Sequence, residues 1–170
     1  MTAAAVLGFW FDEATPAQWW SKSDPFDRLI EARFGALLTA CELVSEVALG
    51  LVRKHLPGSQ PTVPASPWHL LVEVSGGDEQ SAGQQALEGF LAEALASGTI
   101  DDAVVAQSSD QARRLWAMRE NIGEAQKLEG LSVKHDVSLP ISRIPEFVER
   151  AGRELEQAFP EIRIVAFGHI

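Results

Sequence analysis

The chain has 170 residues, of which 46% are hydrophobic and 22% are charged, and its formal net charge is -10 at pH 7. This balance is typical of a globular protein with a packed core rather than of a disordered one. The excess of acidic residues argues against nucleic-acid binding, because a negative surface repels phosphates, and no apolar run approaches the roughly 20 residues that a membrane span needs.

The first 57 residues are predicted to be helical. A Thr-Pro pair at 15–16 and an Asp-Pro pair at 24–25 are helix start signals. From residue 26 onward, apolar residues recur at intervals of three and four. This period predicts one long amphipathic helix that ends near His55.

Strands and helices are predicted to alternate after a proline-rich linker at 58–67. The predicted strands are 69–75, 102–107, 132–139 and 161–167, and the predicted helices are 80–97, 109–128 and 142–159. The sequence therefore predicts an α+β fold, in which N-terminal helices precede a β-α-β-α-β-α-β unit of ferredoxin-like type.

The expected location of the protein is the cytoplasm. The N-terminal residues lack the basic region of a secretory signal. The single cysteine, Cys41, is predicted to be a buried thiol, which is typical of a cytoplasmic protein.

Arg119 is the first candidate for chemistry. It lies in the predicted helix 109–128 beside Trp116 and close to apolar residues. A guanidinium in such a place is suited to bind a carboxylate through two parallel hydrogen bonds. The alternative is a surface arginine that pairs with Glu120, Glu124 or a neighbouring helix.

Lys134 and His169 are two further candidates. Lys134 would share one face of the predicted strand 132–139 with Asp136 and Ser138, either as a polar wall of a site or as a solvated face. His169 follows Gly168 at the end of a predicted strand. A lone histidine there is more often structural, because a metal site needs at least three protein ligands.

The order of three motifs resembles the C-terminal domain of FAD-linked oxidases, the family of D-lactate, glycolate and D-2-hydroxyglutarate dehydrogenases. Trp-x-x-Arg-Glu-x-Ile occupies 116–122, Lys-x-Asp-Val-Ser-x-Pro occupies 134–140, and Phe-Gly-His occupies 167–169. The resemblance covers about residues 41–170. It implies a flavin-dependent oxidoreductase that acts on the CH–OH group of 2-hydroxy acids, with FAD bound in the complete enzyme.

The resemblance also implies roles for single residues. Arg119 and Lys134 would hold the carboxylate of a 2-hydroxy-acid substrate. His169 would be the first of two histidines that bind a divalent metal such as zinc in the metal-dependent members. The catalytic base would lie outside this chain.

The resemblance implies a partial domain as well. Residues 168–170 match the first three positions of the family motif Gly-His-x-Gly-Asp-Gly-Asn-x-His. We therefore expect a substrate-binding domain that is inactive alone and that needs a partner carrying the FAD domain.

The first forty residues resemble a different family, the TPR-like helical domain of unknown function 924. The resemblance rests on Val-Leu-Gly-Phe-Trp-Phe at 6–11, on Trp19-Trp20 and on Asp-Pro-Phe-Asp at 24–27. It predicts a helical segment 1–40 and a second domain 41–170. Two alternatives follow: a non-enzymatic interaction module that uses Trp10, Trp19 and Trp20, or the product of a rearranged, truncated gene fusion.

Overall fold

The computed structural model describes residues 2–9, 26–57, 61–63, 66–75 and 80–170. In this part of the chain the strands are β1 (Thr2–Phe9), β2 (Leu38–Ser45), β3 (Trp68–Ser75), β4 (Asp102–Val105) and β5 (Phe167–His169). The helices are α1 (Phe26–Phe34), α2 (Glu46–His55), α3 (Gln80–Ala96), α4 (Ser109–Glu120), α5 (Ile122–Glu129) and α6 (Ile144–Ala158), with 3-10 turns at Gly35–Leu37 and Ile141–Arg143.

One antiparallel sheet organises these elements, in the strand order β4-β1-β3-β2-β5. Helices cover both of its faces, since side chains of β3 alternate between two apolar clusters. Leu70 and Val72 pack with residues of α1 and α3, whereas Leu71 packs with residues of α2, α4 and α5. The predicted α+β class is confirmed, and the face that carries α4 is the one that positions the candidate site.

The prediction of one long helix over residues 26–55 is wrong. The structure has a helix, a strand and a second helix there, namely α1, β2 and α2. Gly35 ends α1 with a φ of 48°, a conformation that glycine adopts without steric cost. Ser45 begins α2, because its hydroxyl accepts a hydrogen bond from the Ala48 amide at 3.3 Å. Between these two signals the apolar residues alternate across a sheet rather than around a helix.

Three further predictions of secondary structure need correction. Residues 132–139 form no regular secondary structure, and Ser132 to Ser138 are exposed. A strand needs a partner for its backbone groups, and no described strand pairs with this segment. The predicted strand 161–167 is replaced by the shorter β5, which pairs with β2. The N-terminal residues 2–9 form β1 instead of a helix.

The other predicted elements agree with the structure. Strands 69–75 and 102–107 correspond to β3 and β4, and helices 80–97 and 142–159 correspond to α3 and α6. Helix 109–128 is present as α4 and α5, which are separated at Asn121. Cys41 is buried, as predicted. The helix predicted after residue 15 lies outside the described residues, and the predicted boundary at 40–41, which falls within β2, stays a prediction.

Helix α6 leaves much of its apolar face uncovered. Phe147 and Leu155 are 39% and 38% exposed, and the segment before the helix exposes Leu131 and Val133 almost completely. Exposed apolar side chains in such numbers are typical of a protein interface. None of the described helices combines the length and the apolar character that crossing a membrane requires.

Glu129 joins three parts of the fold through ionic hydrogen bonds. Its carboxylate accepts from Lys54 Nζ at 2.6 Å and from His55 at the end of α2, and also from Arg163 of the segment before β5. These bonds, that of Lys54 first, lower the pKa of Glu129 to about 2, from an ordinary value of 4.5. The charged form of Glu129 therefore favours the folded state.

Replacing Gly50 with alanine is expected to stabilise the fold. Gly50 lies inside α2, and an added Cβ would meet no heavy atom within 4 Å. The gain should be about 0.5–1 kcal/mol, because alanine loses less backbone entropy in a helix. The measurement is urea denaturation followed by circular dichroism. Gly35→Ala is the control: it should lose about 1 kcal/mol, since the left-handed conformation at Gly35 is strained for any residue with a Cβ.

The stability of the protein should fall in acid because of Glu129. The group has a lowered pKa in the folded state, so its contribution is complete above pH 4.5 and is lost as the pH falls from 4.5 through about 2. Denaturation midpoints of wild type and Glu129→Gln, measured at several pH values across this window, should converge as the pH falls. A difference between the two proteins that stays constant with pH would contradict the role given to Glu129.

Candidate functional site

A buried carboxylate lies at the centre of the candidate site. Glu42 of β2 is 1% exposed, and it faces the side of the sheet that α4 covers. A buried carboxylate is costly unless cations and hydrogen-bond donors compensate it. Arg119 and His169, two of the three residues singled out from the sequence, supply this compensation.

Helix α4 brings Arg119 to Glu42. The helix begins where the Ser108 hydroxyl accepts a hydrogen bond from the Gln111 amide at 3.2 Å, and it packs on the sheet through Leu115 and Met118. Arg119 comes directly after Met118 in the helix, and its side chain is 20% exposed. Its Nε donates a hydrogen bond to Glu42 Oε2 at 2.8 Å.

Strand β5 brings the other two groups of the site. His169 lies directly opposite Glu42 in the antiparallel pairing, and His169 Nδ1 contacts the second carboxylate oxygen, Oε1. Phe167 lies two residues earlier and therefore on the same face of the strand. The guanidinium carbon of Arg119 is 4.5 Å from the centre of the Phe167 ring, a cation–π contact.

The strand β5 is held at this place by backbone bonds on both sides of the site. The Ser45 amide donates to the Ala166 carbonyl at 3.0 Å, and the Ile170 amide donates to the Cys41 carbonyl at 3.0 Å. The Ser45 hydroxyl also accepts from the Ala166 amide at 3.3 Å. The position of His169 is therefore set by the sheet and not by its side chain alone.

The arrangement leaves groups free to bind a ligand. Within the described residues, the two terminal nitrogens of Arg119 have no hydrogen-bond partner, while its Nε is engaged by Glu42. These two nitrogens form a donor fork, that is, a pair of groups that can donate two parallel hydrogen bonds to one carboxylate. The side chain of His169 is 83% exposed, so most of its imidazole is accessible to solvent.

Two other polar residues on this face of the sheet are engaged elsewhere. Glu73 of β3 accepts a hydrogen bond from the indole of Trp116 and another from Thr39 Oγ1 at 3.0 Å. Nε2 of His69 lies 2.8 Å from Oε2 of Glu46. Burial lowers the pKa of His69 below its ordinary value of 6.5, although the carboxylate of Glu46 acts to raise it. These pairs stabilise the fold, and their hydrogen bonds do not involve Arg119.

The structure does not place Lys134 with the other candidates. It lies in the exposed segment before α6 and makes no hydrogen bond or ion pair with any described residue. The predicted sharing of a strand face with Asp136 and Ser138 is wrong, because the segment forms no strand. Lys134 stays a candidate through its motif alone.

The predicted metal site is not supported by the described residues. A metal needs at least three protein ligands, and no group of three or more His, Cys, Asp or Glu side chains able to hold one occurs in the described part of the chain. Around His169 the available ligand is Glu42, whose Oε2 is already engaged by Arg119. We therefore derive no chemical step through a metal.

Sequence reasoning missed Glu42 and Phe167. Glu42 stands between Cys41 and Leu43 in a run of apolar residues, and a lone acidic residue in such a run indicates a buried position that needs a cation. Its partner could not be read from the sequence, because Arg119 is 77 residues away. Trp10, Trp19 and Trp20, the basis of the interaction-module alternative, lie outside the described residues.

The sequence of the chain is similar to that of a known protein family. Residues 17–170 match the family described as FAD linked oxidases, C-terminal domain. The chain is 34% identical over 146 residues to the mitochondrial D-2-hydroxyglutarate dehydrogenase of Arabidopsis thaliana, covering 84% of this chain and 25% of that protein. It is 34% identical over 145 residues to the Rattus norvegicus enzyme of the same name, covering 84% and 26%.

A bacterial relative shows a similar match. The D-2-hydroxyglutarate dehydrogenase of Xanthomonas citri pv. viticola is 35% identical over 136 residues, covering 78% of this chain and 27% of that protein. The chain thus spans about a quarter of the length of these curated relatives. The family match begins at residue 17, within the segment that resembles domain of unknown function 924, and it gives that second resemblance no support.

Proposed function

Because the chain belongs to the family of FAD-linked oxidases through their C-terminal domain, we propose that it is a substrate-binding domain of a flavin-dependent 2-hydroxy-acid dehydrogenase. D-2-hydroxyglutarate is the favoured substrate, since the relatives cited above carry that name. D-lactate and glycolate are the alternatives within the same class. The role of this chain is to hold the carboxylate of the acid.

The observation that carries this proposal is the donor fork of Arg119, which has no hydrogen-bond partner among the described residues. The guanidinium is fixed by Glu42 on one side and by the Phe167 ring on its face, and no described residue accepts a hydrogen bond from its two terminal nitrogens. A guanidinium held in this way loses little entropy when it binds a carboxylate. An arginine needed only for structure would be expected to use more of its five donors.

The net charge of the Glu42–Arg119 pair is the reason why Lys134 is included in the proposed site. Glu42 cancels the positive charge of Arg119, so the pair alone attracts an anion weakly. A second cation would restore the attraction, and Lys134 is the cation that the family motif supplies. In the proposed complex the exposed segment of Lys134 closes over the acid and contacts the same carboxylate.

The flavin is proposed to be bound by another part of the complete enzyme. The family implies FAD in the full enzyme, where bound FAD supplies a hydride acceptor. The exposed apolar residues of α6, Phe147 and Leu155, are proposed to pack against that FAD-binding part. The isolated chain is then expected to be inactive, and a cytoplasmic location stays a prediction.

Substitution of Arg119 should weaken the binding of D-2-hydroxyglutarate to the isolated chain. Arg119→Lys keeps a positive charge beside Glu42 but removes the two-nitrogen fork, which should weaken binding about tenfold or more. Lys134→Ala should weaken it by a smaller factor and should not change stability, since Lys134 is exposed. Isothermal titration calorimetry gives the affinities, and circular dichroism checks the fold.

Lys127→Ala is the matched control for Lys134. Lys127 is also exposed, but it pairs with Glu124 on α5 at 3.0 Å and lies outside the proposed site. Its removal should leave the affinity unchanged. Equal binding of the acid by wild type and Arg119→Lys would mean that Arg119 does not hold the carboxylate.

A chimera tests the proposal in a complete enzyme. This chain would replace the 136 matching residues of the Xanthomonas citri pv. viticola dehydrogenase. The chimera should reduce a redox dye with D-2-hydroxyglutarate, and its Arg119→Lys form should not, whereas the isolated chain should show neither flavin absorbance nor dye reduction. A chimera that binds flavin but is inactive with every 2-hydroxy acid would overturn the proposed substrate class.

A further inference from the structure

We infer that Ser45 is a positioning residue for the Arg119 fork. Its hydroxyl begins helix α2 and also holds the start of β5, the strand that carries the Phe167 ring against the Arg119 guanidinium. The inference rests on the proposed function for the identity of the ligand, a 2-hydroxy acid. The contacts that connect Ser45 to Arg119 do not depend on that ligand.

The hydroxyl oxygen of Ser45 accepts two hydrogen bonds. One comes from the Ala48 amide at 3.3 Å, in the first turn of α2, and the other comes from the Ala166 amide at 3.3 Å. Ser45 is 7% exposed, so water has little access to this oxygen. A hydroxyl has two acceptor lone pairs, and both are therefore used inside the protein.

The bond from Ala166 extends the pairing of β5 with β2 by one residue. The Ser45 amide donates to the Ala166 carbonyl at 3.0 Å, and in a regular antiparallel pair the Ser45 carbonyl would accept from the Ala166 amide in return. Ser45 is also the residue at which α2 begins, and the carbonyl of such a residue accepts the first hydrogen bond of its helix. The hydroxyl takes the place of the carbonyl in the pair.

Phe167 depends on this pair because its own backbone does not bond to β2. Hydrogen-bonded and non-hydrogen-bonded pairs alternate along antiparallel strands. The bonds that Ala166 and Ile170 make with β2 therefore place Phe167 in a non-hydrogen-bonded pair. The neighbouring pairs set its position, and the pair with Ser45 is the one on its N-terminal side.

The ring of Phe167 transmits this position to Arg119. The guanidinium carbon is 4.5 Å from the centre of the ring, and Glu42 accepts a hydrogen bond from Nε of the same group. A group held by one hydrogen bond can turn about that bond, so the ring is needed to fix the plane of the fork. A shift of β5 at Ala166 would change the direction of the fork without breaking the bond to Glu42.

Two substitutions of Ser45 separate this role from the start of α2. Alanine is a poor residue at the start of a helix, whereas glycine is nearly as good as serine there. Ser45→Ala should therefore lower the denaturation midpoint more than Ser45→Gly does. Both remove the oxygen that accepts from Ala166, so both should loosen the contact of Phe167 with Arg119. Ser45→Thr keeps the hydroxyl and should keep the contact.

Proton NMR of the protein without ligand measures the contact. An aromatic ring shifts the signals of protons above its face upfield, so the side-chain protons of Arg119 should show this shift in wild type and in Ser45→Thr. The shift should be smaller in Ser45→Ala and Ser45→Gly, and absent in Phe167→Leu. The Ala166 amide should exchange with solvent about tenfold faster in the alanine and glycine variants, because it has lost one hydrogen bond.

Ser97→Ala is the matched control. The Ser97 hydroxyl also bonds to the backbone, since it donates to the Ala94 carbonyl at 3.0 Å, but it lies at the end of α3 on the other face of the sheet. This variant should leave the Arg119 shift and the Ala166 exchange as in wild type. An Arg119 shift that is the same in Ser45→Gly as in wild type would overturn the inference.

Folded wild type gives a check that needs no variant. An Ala166 amide that is protected from exchange, together with upfield Arg119 signals, would support the inference. An Ala166 amide that exchanges as fast as in an unstructured peptide would overturn it.

Titration with D-2-hydroxyglutarate measures the consequence for the ligand. Ser45→Gly should bind the acid about two- to fivefold more weakly than wild type, as expected for the loss of a cation–π contact at a partly exposed site. Ser45→Thr and Ser97→Ala should bind it as wild type does. In the Phe167→Leu background, Ser45→Gly should cause no further loss, because its effect passes through the ring.

The failure of the proposed function would be a different result. If wild type does not bind the acid, the proposed function fails, whereas the Arg119 shift and the Ala166 exchange still decide the role of Ser45. If the acid binds but an added Ser45→Gly weakens binding equally with and without the Phe167 ring, the inference fails and the proposed function stands.

Discussion

The buried charge of Glu42 is the constraint on which the site depends. A carboxylate with 1% exposure requires compensation, and removing a partner of a buried ion pair costs on the order of 3–5 kcal/mol. Its two partners come from α4 and β5, so this one side chain ties a central strand to a helix and to the edge of the sheet. The backbone pairing of the three-residue strand β5 with β2 adds to this connection.

The two faces of the sheet differ in the polar groups that they carry. The face toward α1 and α3 packs apolar side chains only, among the described residues of its core. The face toward α4 carries Glu42, His69 and Glu73, each paired with a residue from another element. Hydrogen-bonded pairs of this kind hold the groups involved in one geometry. The Glu42 pair holds Arg119 so that its terminal nitrogens have no partner among the described residues.

The fold was predictable where local signals were strong and unambiguous. Strand β3 is a short apolar run ended by glycines, and α3 and α4 have helical periods with clear ends. The prediction failed over 26–55 because apolar residues in α1, β2 and α2 continue in a common period, which does not reveal the strand between them. The prediction of a strand at 132–139 failed because a strand needs a neighbouring strand to pair with, and the propensity of a segment does not show whether a neighbour exists.

The sequence by itself determined the α+β class, most helices and the family resemblance, and it singled out Arg119 and His169 as candidates. Only the tertiary structure decided that these two residues share Glu42, and that Lys134 stands apart from them. The physical reason is that an ion pair depends on distance in space, and the partners of Glu42 are brought to it by the strand pairing of β5 and the packing of α4. The sequence shows which residue types are present, but it does not show that Arg119 and His169 both contact Glu42.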